Sequence, residues 1–256
     1  HSVRCYVRPK ISDIILMGSE RIHLFDTPLL VSRNMGLAVD QRAAKRVMDI
    51  LISGIGIIIT SPIMLIIAIA VKAYDRGPVF YFQDRLTLGG KPFKICKFRS
   101  MCVDSEKNGA RLASKHDSRI TPVGHVLRNL HLDELPQLFN VFKGDMSLVG
   151  PRPERESIML EYEKELPEFY YRLKVKAGLT GYAQVYGKYN TTPYDKLKLD
   201  LFYIENYSFL LDIKLIFMTV KIFFQKEVSE GVDDRQVNAL KDSGKNVGVS
   251  ENKTEE

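Results

Sequence analysis

From Ile50 to Val71 the sequence carries no charged side chain, and only Ser, Thr, Gly and Pro interrupt its apolar residues. About 20 such residues suffice for a helix to match the hydrocarbon thickness of a bilayer. Two details bear on how this helix meets a membrane. Ser61-Pro62 stands at its middle, where proline removes a backbone donor and crowds the preceding turn, so a kink or break is expected. Both flanks are basic, with Arg42, Lys45 and Arg46 before the run and Lys72 and Arg76 after it. The positive-inside bias would hold both flanks on the cytoplasmic side. A re-entrant helix-break-helix satisfies both facts. One straight span with an accommodated proline is the alternative, and the buried core helix of a soluble protein is a third, disfavoured by the length of the run.

Around this segment the chain alternates short apolar runs with turn residues. Residues 1–40 read as short strands, Val3–Val7, Ile14–Met17 and Ile22–Phe25 followed by Thr27–Val31, and so as the end of an upstream α/β domain plus a linker. The chain opens on His1 and shows no signal-peptide pattern, so it is expected to be part of a longer protein. Val79–Gln83, a turn over Leu88–Lys91 and Phe93–Phe98 predict a β-hairpin, with Gly89-Gly90 serving the turn rather than a phosphate. Residues 103–119 read as a polar loop. Helices are expected over Val123–Leu130, Leu135–Phe142 and Ser157–Glu165. Residues 178–193, rich in Gly, Thr, Tyr and Asn, read as a ligand-binding loop. Asp200–Gln225 reads as a long amphipathic helix or helix pair, with Lys214 and Lys221 on one face as in an interfacial helix; packing into a core explains the pattern equally well. The polar tail, 229–256, lacks periodicity and reads as disordered. The expected architecture is α+β, mostly α: a re-entrant membrane helix, residues 41–228 forming a small cytosolic catalytic domain around it with a short hairpin, and amphipathic interfacial helices.

The formal net charge of +6 suits nucleic acid, phospholipid headgroups or phosphorylated metabolites as partners. The basic residues flank an apolar run and no nucleic-acid module is present, so nucleic acid is not expected. Cys5, Cys96 and Cys102 have no zinc spacing and read as reduced thiols.

The densest cluster of chemically capable side chains runs from Arg128 to Arg152. Asp133-Glu134 followed by Pro136 suggests the first turn of a helix, where the dipole would keep an acid ionised. Such an acid suits a nucleophile or a metal ligand, and two carboxylates beside a phosphate are what Mg²⁺ accepts. Arg128 and Arg152 have the bidentate fork that phosphate oxygens fit. Plain helix capping explains the acidic pair as well, and arginines are commonly surface charges. His131 is a lone candidate base.

Several motifs occur in one order: Lys45-Arg46-Val47-Met48-Asp49, the Ser61-Pro62 pair, Lys97-Phe98-Arg99-Ser100-Met101 and Leu132-Asp133-Glu134-Leu135-Pro136-Gln137-Leu138. They are followed by Gly144-Asp145-Met146-Ser147-Leu148-Val149-Gly150-Pro151-Arg152-Pro153 and by Gly178-Leu179-Thr180-Gly181-Tyr182-Ala183-Gln184-Val185. Over about Arg42 to Glu227 this series resembles the bacterial sugar transferase family, the monotopic polyprenyl-phosphate phosphoglycosyl transferases. Residues 1–40 resemble, more weakly, the junction after the Rossmann-like accessory domain of its larger members.

The resemblance implies a re-entrant helix broken at Ser61 and Pro62, on the cytoplasmic face of a bacterial inner membrane. It implies Asp133 as nucleophile toward the β-phosphate of a nucleotide diphosphate sugar, a UDP-sugar by expectation, with release of nucleoside monophosphate. Polyprenyl (undecaprenyl) phosphate would then take the sugar phosphate from the aspartate. That reaction opens exopolysaccharide, capsule, O-antigen or glycoprotein glycan synthesis. Glu134 completes an acidic dyad binding Mg²⁺, with Mn²⁺ as a substitute. Arg128 and Arg152 match phosphate-binding arginines, and Lys97, Arg99 and Gln184, within the matched motifs, join them as substrate-binding residues. Membrane phospholipid is an implied contact, and the upstream part leaves room for homo-oligomers. Leu130-His131 and Tyr186-Gly187-Lys188 depart from the commonest family pattern; the second is expected to touch nucleotide or sugar, which leaves the donor open. A lipid phosphatase using the same aspartate with water as acceptor is the competing enzyme reading. A basic membrane scaffold would leave the Asp133–Arg152 cluster without a purpose.

Overall fold

The computed structural model describes residues 9–17, 19–24, 27–32, 37–103, 117–187 and 191–223. The expected strand at Val3–Val7, most of the polar loop at 103–119 and the tail at 229–256 lie outside the described residues.

The first described element is helix α1, Ile11–Met17, where a strand was expected over Ile14–Met17. Helical spacing decides this: Ile11 and Ile14 fall on one face and are buried, and Asp13 accepts the Lys10 amide at 2.7 Å in the first turn. Strands β1, Ser19–Leu24, and β2, Thr27–Ser32, form an antiparallel hairpin from Ser19↔Ser32 to Leu24↔Thr27.

Helix α2, Val39–Asp75, contains the apolar run. Its 37 residues make a rod of roughly 55 Å. It stays helical through Ser61-Pro62, where a break was expected. Pro62 cannot donate to the carbonyl four residues back, Ile58, but Ser61 Oγ donates to that oxygen at 2.8 Å and replaces the missing bond. Ile58, Ile59, Leu65, Ile66 and Ile69 are 61–74% exposed, so the middle of the helix offers its apolar surface outward. Among the described residues, α2 alone is long and apolar enough to cross a membrane.

Strands β3, Phe80–Leu86, and β4, Pro92–Phe98, form the expected hairpin with a 3₁₀ turn over Leu88–Gly90, whose two glycines have φ of 69° and 74°. Helix α3, Pro122–Asn129, is capped by Thr121, whose hydroxyl accepts the Gly124 amide at 2.9 Å, with Pro122 at the first helical position. A side chain at Gly124 would put its Cβ 1.9 Å from the Ser100 carbonyl, so only glycine lets α3 approach the end of β4 this closely. A 3₁₀ turn, Leu132–Glu134, leads into helix α4, Gln137–Lys143. Strand β5, Ser147–Val149, and helix α5, Glu156–Glu165, follow, then a 3₁₀ segment, Pro167–Lys174.

Strand β6, Gly178–Thr180, runs parallel to β5, and helix α6, Tyr182–Tyr186, comes directly after it. Much of the stretch expected to be a loop at 178–193 is therefore ordered secondary structure. Gly150 and Gly178 allow it by letting the two backbones touch, since a Cβ on Gly178 would lie 2.1 Å from the Gly150 nitrogen. Helices α7, Pro193–Glu205, and α8, Phe209–Phe223, are the expected pair, parted at Asn206-Tyr207-Ser208.

The main core joins α1, β3, β4, α4, β5, α5, α7 and α8 around Val141, Met146, Val149, Phe169, Leu197, Leu201 and Leu215. A second cluster packs Met64, Ile67 and Val71 of α2 on Phe98 and Leu127. The first half of α2 is tied to the same unit by polar bonds. Lys45 pairs with Asp212 inside the core, where Tyr203 donates to the same carboxylate at 2.7 Å. Asp49 accepts from Ser147 Oγ at 3.0 Å and the Leu148 amide at 2.9 Å. Arg46 donates to the Val141 and Phe142 carbonyls, each at 2.8 Å, which caps the end of α4.

Candidate active site

The acidic pair does not sit in the first turn of α4 as expected. Pro136 has no N–H to donate and takes the cap position, so the chain makes the separate Leu132–Glu134 3₁₀ turn first, entered through His131 in a left-handed conformation (φ 52°). The two carboxylates leave this turn into different surroundings.

Glu134 is clamped. Lys97 Nζ lies 2.7 Å from its Oε1, and Arg152 donates to Oε1 at 2.6 Å and to Oε2 at 3.4 Å. Burial alone would push its carboxyl up, but the charges of Arg152 and Lys97 outweigh this and hold it well below the usual carboxylate range. No hydrogen bond engages the Asp133 carboxylate among the described residues. Burial pushes the Asp133 carboxyl up; Lys97 opposes, the Glu134 charge adds to the rise, and Arg128 and His131 pull it back in part. The expected helix dipole is absent here: Asp133 lies in the 3₁₀ turn, where burial raises its carboxyl and the cations that oppose the rise are side chains.

Arg128 comes from the last turn of α3. Its Nε donates to Ser100 Oγ at 2.9 Å, and its terminal nitrogens have no hydrogen-bond partner among the described residues. Gly124 makes this possible by seating α3 on Ser100. The structure thus brings together Asp133, Glu134, Lys97 and Arg152, with Arg128 close enough to act electrostatically on Asp133.

Two expected substrate-binding residues point elsewhere. Arg99 is buried and paired with Asp75, where it fastens the end of α2 beneath Gly77. The β-strand alternation explains this: Lys97 and Arg99 share a direction only if the strand continues, and β4 ends at Phe98. Gln184 donates to the Leu179 carbonyl at 3.0 Å within its own segment. Tyr186, in the departing Tyr186-Gly187-Lys188 stretch, donates to Met218 of α8 at 3.2 Å, while Lys188 lies outside the described residues.

Sequence reasoning missed the support behind Arg152. Arg172 and Glu154, from either end of α5 and its following turn, form a charged group with Arg85, Lys196 and Asp200. Arg172 stands among Phe169, Tyr170, Tyr171 and Leu173, and a charge inside such an apolar stretch was the available signal.

The donor set bears on a metal. No group of three or more His, Cys, Asp and Glu side chains converges among the described residues. Mg²⁺ keeps its waters and needs few protein oxygens, so the unbonded Asp133 carboxylate fits an ion held mainly by phosphate oxygens. Glu134, already shared between two cations, would contribute to such an ion only by loosening one of them.

A half-buried acidic pair with Lys97, Arg152 and Arg128 around it thus lies in the same domain that ties down the apolar helix α2. A sequence model of the bacterial sugar transferase family matches residues 40–226, and the chain belongs to that family. It is 46% identical over 180 residues to UDP-N-acetylgalactosamine-undecaprenyl-phosphate N-acetylgalactosaminephosphotransferase of Aeromonas hydrophila, covering 69% of this chain and 43% of that protein. It is 43% identical over 208 residues to UDP-glucose:undecaprenyl-phosphate glucose-1-phosphate transferase of Klebsiella pneumoniae, covering 79% of this chain and 43% of the relative. A protein of the latter name from Caulobacter vibrioides is 37% identical over 229 residues, with 84% of each chain covered. The chain spans less than half the length of the first two relatives.

Proposed function

We propose that this chain transfers a sugar 1-phosphate from a UDP-sugar to undecaprenyl phosphate at the cytoplasmic face of a bacterial inner membrane, through a covalent intermediate on Asp133. The observation that carries the reading is the asymmetry of the dyad: Glu134 is locked by Lys97 and Arg152, while the neighbouring Asp133 carboxylate is unbonded. An unbonded, partly desolvated carboxylate beside cations is a competent nucleophile. An Asp133 oxygen attacks the β-phosphorus; the bond from that phosphorus to the bridging oxygen breaks, and the nucleoside monophosphate leaves with the electron pair. A phosphate oxygen of the acceptor then attacks the same phosphorus, and the Asp133 carboxylate is regenerated. Arg152 and Lys97 would bind the donor diphosphate, and Arg128, whose terminal nitrogens have no hydrogen-bond partner among the described residues, would take the incoming phosphate. Asp133, with Glu134 assisting, would hold Mg²⁺ or Mn²⁺, whose charge would offset that of the diphosphate.

The seating of α2 supports a re-entrant topology. Lys45, Arg46 and Asp49 near one end and Val71 and Asp75 near the other all bind the same domain. A single crossing would place the two ends on opposite sides of the membrane. Exposed Phe209, Leu210, Phe217 and Val220 on α8, with Lys214 and Lys221 beside them, suit contact with phospholipid. Products of this class begin exopolysaccharide, capsule, O-antigen or glycoprotein glycan synthesis.

The test is incubation of the purified protein with UDP-N-acetylgalactosamine or UDP-glucose in the absence of acceptor. UMP release, and sugar-phosphate mass on the peptide containing Asp133, are expected; Asp133→Asn abolishes both. UMP release that waits for the lipid would overturn the covalent step, and release of free sugar phosphate into water would favour the phosphatase reading.

A further inference from the structure

The turn that presents Arg152 has all its carbonyls fixed. Pro151 O accepts from the Gly178 amide at 2.9 Å, and Glu154 O accepts from the Leu86 amide at 3.0 Å. Between them, Arg152 O accepts from Arg172 Nη2 at 3.0 Å and Pro153 O from Arg85 Nη1 at 3.1 Å. Two backbone donors hold the outer positions and two arginine side chains the inner ones, while Pro151 and Pro153 fix their own φ angles.

The arginines are themselves anchored. Arg172 is 2% exposed, lies over the Phe169 ring with its guanidinium carbon 4.8 Å from the centroid, and pairs with the 1% exposed Asp200 at 2.8 Å and with Glu154 at 3.5 Å. Arg85 approaches Glu154 at 3.8 Å and is held by Gln83 at 2.6 Å, and Lys196 closes the group on Glu154. Breaking so buried a set of charges is costly, so the arginines keep one geometry.

We infer that Arg172, with Arg85, is a positioning residue for the transfer: it fixes the backbone of the Pro151–Pro153 turn so that the Arg152 guanidinium stays beside Glu134 and the donor phosphates. Its planar fork holds a carboxylate and a carbonyl in one fixed geometry, which the shorter, compact ammonium of lysine does not reproduce. This inference rests on the transferase reading, and the experiment separates the two.

The experiment is a double-mutant cycle on the full chain, reading single-turnover UMP release from the two donors above, with hydrogen–deuterium exchange of the same proteins. Arg172→Lys should lower kcat/KM about tenfold, mainly through KM, and less than about twofold in an Arg152→Gln background, because the effect acts through Arg152. Exchange of the Gly178 amide, which donates to Pro151 O, and of the Leu86 amide, which donates to Glu154 O, should rise about tenfold in Arg172→Lys while that of the rest of β3 and of β4 stays unchanged. Equal losses in both backgrounds, or unchanged exchange at Gly178 and Leu86, overturn the inference. If Arg172→Lys does not fold, Arg85→Lys reads the same coupling through Pro153. Absence of UMP release from the unaltered protein counts against the transferase reading alone, since the exchange measurement still decides the positioning role.

Discussion

At Asp133 and Glu134 adjacent carboxylates have opposite proton chemistry, and each direction has a measurable sign. Asp133 is raised above its ordinary 3.8, so its ionised form is disfavoured by folding. Its stabilising contribution belongs to low pH and is lost as pH rises through the raised value, which means that at neutral pH the charged aspartate lowers stability. Asp133→Asn should therefore raise the melting temperature, by roughly 1–3 °C, while abolishing UMP release. An Asn variant that is both inactive and less stable would show that burial around Asp133 is not the dominant effect. UMP release should also fall on the acid side at a pH above 3.8. Glu154 shows the reverse: burial pushes it up, but Lys196, Arg172 and Arg85 bring it down to about 2 from 4.5. Its contribution is complete above pH 4.5 and fades toward pH 2. Acid titration of Glu154→Gln should thus show a shallower loss of stability across that window. The acidic pair itself was legible in the sequence as a candidate, but its split was not, because Lys97 and Arg152 come from 37 and 18 residues away.

Among the elements, α2 shows where sequence patterning works and where it stops. Its apolar length and basic flanks were plain, and so was the disturbance at Pro62. The sequence pattern did not show Ser61 supplying the bond to Ile58, a local side-chain substitution for a backbone donor. Nor did it show Lys45 as a buried group, since its partner Asp212 lies 167 residues on. Removing one member of such a pair strands the other charge, so Lys45→Met should cost about 3–5 kcal/mol, and Lys45→Met with Asp212→Leu should recover much of that. Denaturant titration of the four proteins tests this, and a double variant as unstable as Lys45→Met would refute it. For topology, cysteines placed at Arg42 and at Arg76 should both be labelled only from the cytoplasmic side. Labelling of either from outside would return the helix to a single crossing. The α1 segment was misread for a simpler reason: a few apolar residues fit strand and helix alike, and only burial of Ile11 and Ile14 against α7 decides.

For the whole molecule, α1 matters beyond its seven residues. Ile14 is 2% exposed and belongs to the same core as Leu197, Leu201 and Tyr203. Ile14→Ala should cost about 2–4 kcal/mol and lower the melting point of the transferase unit as a single transition. A separate low-temperature transition would instead mark α1 as part of an independent unit. Activity of the whole protein should vanish in excess EDTA and return with Mg²⁺ or Mn²⁺; full turnover in chelator would remove the ion from the reaction. The order of motifs made the architecture readable, because each motif marks an element that the core or the site needs. The Arg172–Asp200 group escaped notice because its members are scattered between residues 85 and 200 and meet only in the fold.

The outward isoleucines of α2, Phe139 and Phe142 of α4 and the exposed apolar residues of α8 give the folded unit a large oily area. Seated as proposed, that bulk enters one leaflet and leaves the other alone, so it spreads the lipids of a single monolayer. The enzyme would then partition toward loosely packed, positively curved bilayers and be slowed by lateral pressure. Small vesicles rich in unsaturated chains should bind and activate it more strongly than large saturated ones of equal charge.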